Sequence, residues 1–132
     1  MSAEKILTLM LRVNAAILIV ALPMAILPFE TMSWIHGWFN MGDLSDQPIT
    51  EYLARSCSLL YGMHGLVLML ISIAPRRHWS LIGPVALIHV GLGLTIFLVD
   101  LDAGMPWYWT AAEGIPISIY GALLYLFWRK AS

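Results

Sequence analysis

Charge is scarce in this chain. Its 132 residues hold 7 Lys or Arg and 8 Asp or Glu, which is 11% charged against 60% hydrophobic. An ordinary soluble domain carries about a quarter charged residues, so that class is excluded. A mean hydropathy of +0.79 also excludes a disordered segment. The net charge of −1 comes with no basic stripe, so nothing here attracts nucleic acid. One cysteine, Cys57, rules out an intrachain disulfide and a cysteine-built metal site. Cys57 sits inside an apolar run and is expected to be a packed small residue. A reactive thiol would need a cationic neighbour and some exposure. There is no nucleophile elbow, phosphate loop or zinc-protease motif, and no pair of histidines on one helical face. No catalytic residue and no metal site is therefore expected.

What is present is a map of four charge-free runs: Val13–Phe29, Ser56–Pro75, His78–Val99 and Gly114–Trp128. A bilayer core needs about 20 helical residues at about 1.5 Å rise each. The middle two runs meet this. The outer two must take in a flanking charge, which makes Arg12 and Glu113 the residues to explain. The expectation is an all-α, four-helix transmembrane bundle in one domain. Its spans fall at about 8–28, 52–74, 81–101 and 111–128, with an outer loop at 29–50. Lys5 and Arg12 before Val13–Leu27 imitate a cleaved signal. No small-x-small site follows, so a retained first span is expected. Pro23 is placed to kink its outer half, and Pro116 to sit in the first turns of the fourth span.

The basic residues set the expected sidedness. Lys5, Arg12, Arg76, Arg77, Arg129 and Lys130 fall at the termini and in the second connection. The other two connections carry Glu30, Asp43, Asp46, Glu51 and Asp102 without Lys or Arg. Both termini are expected on the cytoplasmic side of a bacterial inner membrane. Arg55 alone breaks the pattern.

The outer loop begins with aromatics. Trp34 and Trp38 are four apart, as are Ile35 and Phe39. That spacing suits a short helix in the headgroup layer, and a plain aromatic belt is the simpler alternative. Residues 42–48 read as an exposed turn. His36 and His78 read as interface or loop residues.

Helical spacing places the polar groups of the spans. Arg55, Ser58, Gly62, Gly65, Met69 and Ser72 form a stripe of small and polar residues that lets helices approach closely. His89, Gly93, Ile96 and Asp100 share a face of the third span, and Glu113 and Tyr120 share one on the fourth. Arg55, Asp100 and Glu113 lie at similar depth near the outer ends. Arg55 is expected to pair with Glu113 or Asp100, with Glu51 as a competitor one turn away. The cluster is either an ion pair that fixes helix register or a ligand or proton site opening outward. His64 and His89 fall near mid-membrane with glycines beside them, which suggests two axial haem ligands. The wheel turns His64 nearly opposite Arg55, which disfavours one shared pocket. A neutral histidine hydrogen-bonded across helices is the preferred reading. Tyr61, His64, His89 and Tyr120 are the candidates to line any pocket for haem or quinone.

The residues Arg55…Tyr61-Gly62…Gly65 and Asp100…Gly104-Met105-Pro106…Trp109…Glu113-Gly114 resemble the small bacterial four-span DoxX-like membrane families. That resemblance implies the four-helix membrane fold. It also implies kinship with proteins that include subunits of quinone-linked oxidoreductase assemblies. Three functions remain open. The first is a non-enzymatic accessory or structural subunit, with lipid and a membrane partner or its own copies as neighbours. The second is a quinone- or haem-associated oxidoreductase subunit. The third is a small transporter or sensor built on Arg55, Asp100 and Glu113. No cofactor is expected under the first.

Overall fold

The computed structural model describes residues 2–40 and 44–131. Every regular element among them is helical. In chain order these are α1 (Ala3–Ile19), a short 3-10 helix (Leu22–Ala25), α2 (Phe29–Trp38), α3 (Pro48–Ile73), α4 (Trp79–Asp102) and α5 (Trp107–Ala131). Four segments are long and apolar enough to cross a membrane: Ala3–Ala25, Pro48–Ile73, Trp79–Asp102 and Trp107–Ala131. These match the four expected spans; each begins two to five residues earlier than expected, and the first two stop earlier as well, at 25 and 73. Part of the expected turn at 42–48 lies outside the described residues.

Prolines set several of the boundaries. α1 ends at Ile19, the residue whose carbonyl the ring of Pro23 would strike in a continued helix. The chain tightens instead into the 3-10 turn at Leu22–Ala25. The expected kink at Pro23 is thus a break. Pro48 opens α3, where its missing N–H harms nothing. Pro116 corrects its expectation. α5 starts at Trp107, not near 111, so Pro116 lies in the helix interior. α4 is closed by Gly104 at φ +67°, a left-handed conformation that glycine adopts without strain. There the N–H of Met105 donates to the Asp100 carbonyl, 2.9 Å, the crossing bond of a glycine-capped helix end.

The chain falls into two compact units, Leu11–Leu70 and Met1–Met10 with Ile71–Ser132. In the first, the stripe on α3 is where the chain packs most closely. A methyl group on Gly65 would stand 2.9 Å from the Ala15 carbonyl and the Ile19 amide, and one on Gly62 would run into the Leu22 side chain. In the second, α4 and α5 make the extensive contact. Gly93 meets Gly114, Ala86 meets Gly121 and Gly83 meets Trp128. The numbers rise on one helix as they fall on the other, so the two run antiparallel. Between apolar helices in lipid, such close approach supplies van der Waals contact in place of a hydrophobic driving force.

Candidate functional site

Arg55 is held inside its own unit. Its Nε and Nη2 both donate to Glu51 Oε1, at 2.9 and 2.8 Å, and Nη1 donates to the Ala25 carbonyl at 2.7 Å. Ala25 ends the 3-10 turn, where a carbonyl has no helical partner ahead of it. The break at Pro23 and the arginine in the span therefore explain each other. Helical geometry brings Glu51 to Arg55 one turn away, and Glu51 neutralises the guanidinium while Ala25 takes the remaining donor. Expectation put Asp100 or Glu113 first and Glu51 second. Within its unit the fork closes on Glu51, since i,i+4 spacing on one helix costs no tertiary ordering; Asp100 and Glu113 belong to the other unit.

The seam of α4 and α5 carries the mid-span polar groups. His89 is 4% exposed, and its Nδ1 lies 2.8 Å from the Val85 carbonyl of its own helix. A carbonyl only accepts, so Nδ1 bears the proton in this arrangement. Towards α5 the ring meets Tyr120 edge-on, with centroids 5.1 Å apart. Ser118 Oγ donates across the seam to the Val90 carbonyl, 3.2 Å. The glycines expected to make room for a haem ring are put to another use. The spaces beside Gly62, Gly65 and Gly93 are filled by Leu22, by Ala15 with Ile19, and by Gly114 with Ser118. Gly91 alone of this group opens outward, with nothing within 4 Å of where a side chain would start. Tyr61 is exposed and His64 half-buried on α3, in the other unit.

Asp100 and Glu113 close the seam near the α4–α5 turn. Asp100 is 7% exposed. Its Oδ2 has no hydrogen-bond partner among the described residues. Glu113 is half-buried, takes a hydrogen bond from Trp109 and interacts electrostatically with Asp100. Two acids thus sit beside each other with a buried oxygen unpaired. No group of three or more His, Cys, Asp or Glu among the described residues is placed to hold a metal ion.

At the opposite end of the same unit stands a cluster that sequence reading missed. Arg76 bonds Glu4 through two nitrogens, at 2.8 and 3.0 Å, reaches the Ala131 carbonyl at 3.4 Å, and lies 4.7 Å over the Trp79 ring. The hydrogen bond to Glu4 raises the Arg76 pKa further, so this charge is permanent. Trp128 Nε1 donates to the Trp79 carbonyl at 3.1 Å, and its ring covers Gly83. Arg76 was read only as a marker of sidedness. The sequence signal for the rest was available. Gly114 and Gly121 are seven apart, as are Ala86 and Gly93, so each pair falls on one helical face.

Comparison with known families, curated proteins and solved structures finds no match.

Cys57 corrects a further expectation. It is exposed on α3 beside the exposed Leu53 and Leu60, not packed. Its position falls outside the glycine stripe, so the face that buries Gly62 and Gly65 turns it outward.

Proposed function

We propose that this chain is an accessory or structural subunit of a membrane assembly, of DoxX-like type. It crosses a bacterial cytoplasmic membrane four times, with both termini inside. The distribution of Lys and Arg supports the sidedness. One observation carries the functional reading: a set of polar side chains holds the elements of each unit together. Arg55 ties α3 to the 3-10 turn, Ser118 ties α5 to α4, Trp128 ties the start of α4 to the end of α5, and Arg76 ties Glu4 to the chain end. Much of what the spans leave exposed is apolar. Leu87, Ile88, Leu94 and Leu98 on α4 are each more than half exposed, and Gly91 leaves a notch among them. Such a face suits a neighbouring membrane helix. Native mass spectrometry of the protein, extracted from its own membrane in mild detergent, tests this. A co-purifying membrane protein or a defined homo-oligomer is expected. A monomer carrying the mass of a haem or quinone would overturn the reading in favour of an oxidoreductase subunit.

A second reading rests on Asp100 and Glu113. A buried carboxylate oxygen without a partner, beside a second carboxyl, suits a small transporter or sensor that takes up a proton or cation there. An activity lost in Glu113→Gln while the fold is kept would favour it.

A further inference from the structure

We infer that α2 is an in-plane anchor, lying in the lipid headgroup layer with its Trp34–Trp38 face against the bilayer. The inference rests on the membrane-spanning reading above.

Ten residues form this helix, and its two sides differ. Met32 is buried, and Phe29, Ile35 and His36 beside it are half-buried. The other side presents Glu30, Trp34, Gly37 and Trp38, all exposed. Trp34 is 59% exposed and Trp38 69%. Their rings meet edge to face with centroids 4.3 Å apart. Two large indoles are thus locked together on the side turned away from the chain.

The tether decides what covers them. The first spanning segment ends at Ala25 and α2 begins at Phe29. Three residues reach at most about 10 Å, little beyond one headgroup layer of roughly 5–8 Å. The three are Ile26, Leu27 and Pro28, and Ile26 is 84% exposed. An apolar link of that length cannot lift α2 into bulk water without exposing itself. Trp rings prefer this zone, since the indole body is apolar and its N–H is polar. Glu30 shares the side of these rings, one turn before Trp34, and sits in the first turn, where the helix dipole favours a carboxylate at headgroup depth. α2 carries no Lys or Arg. Insertion is therefore driven by the rings and not by anionic headgroups, and should not depend on lipid charge or salt.

Site-directed spin labelling in proteoliposomes tests the inference. Gly37→Cys has open space for the label, and Cys57→Ser removes the native thiol. Labels at Ile88→Cys and Asp46→Cys provide lipid and water references, since both positions are exposed. Collision rates with oxygen, which partitions into lipid, and with a water-soluble nickel chelate are compared. The Gly37 label is expected to favour oxygen over nickel, between the two references, equally in zwitterionic and anionic vesicles. Adding Trp34→Ala and Trp38→Ala should shift it towards the Asp46 value. A Gly37 label that matches Asp46 would overturn the inference, and so would one shielded from both reagents, which means a protein cover. If the Ile88 label itself fails to favour oxygen, the membrane-spanning reading fails with it.

Discussion

Gly93 and Gly114 face each other so closely that a methyl group on Gly93 would stand 2.5 Å from the Gly114 carbonyl oxygen, and one on Gly114 would stand 2.6 Å from that of Gly93. Neither atom can move without moving a helix. Gly93→Ala or Gly114→Ala should therefore destabilise the protein by about 1–3 kcal/mol, the range of core overpacking. Gly121→Ala, which would meet the Ala86 carbonyl at 2.6 Å, belongs with them. Gly91→Ala is the control. It meets open space, and alanine favours a helix by up to about 1 kcal/mol over glycine, so stability should hold or rise. Thermal unfolding in detergent reads all four, and a Gly114→Ala protein as stable as the parent would sink the close-packed seam.

Arg55 and the break at Pro23 should fail together. Arg55→Ala strips the Ala25 carbonyl and the Glu51 carboxylate of their donors. The loss expected for an unpaired polar group is about 1–3 kcal/mol, and the low end applies because Arg55 is 30% and Glu51 45% exposed at the side chain. Arg55→Lys should recover only part of it, since one ammonium cannot fork to Glu51 and reach Ala25 as well. Melting curves of the two variants decide this. Full rescue by lysine would show that charge alone matters.

Asp100→Asn should raise the melting temperature. The substitution removes a buried carboxyl that has a second carboxyl beside it and one oxygen unpaired. Two neighbouring carboxyls in a poorly screened site oppose folding wherever both carry charge. If Asp100→Asn instead melts lower while Glu113→Gln does not, the carboxylate is holding something the fold needs, and the second functional reading gains.

Gly104→Ala should cost about 1–2 kcal/mol, the strain of a left-handed residue with a side chain. Gly104 is exposed with nothing within 4 Å, so no clash contributes. Gly104→Asn should cost less, because asparagine tolerates that conformation. Equal melting of alanine, asparagine and parent would mean that the turn after α4 does not depend on this conformation.

The spans were legible in the residues alone, because a bilayer sets a length and an aversion to charge that leave a mark along each of the four runs from Val13 to Trp128. A distortion at Pro23, though not its full break, and the glycine stripe Gly62–Gly65 were legible too, since a missing N–H and a missing side chain act locally. Three features required tertiary structure. Arg55 had three acids within plausible reach, and only folding showed which one the guanidinium meets. The opposition of Gly93 to Gly114 depends on the register of two helices, which no single helix encodes. The grip of Arg76 on Glu4 joins residues far apart in the chain, and helical periodicity does not extend across a turn. Sequence determines what each helix can bury on its own face. Which atoms then share that burial depends on how the helices slide and rotate against one another, and this is a property of the packed pair.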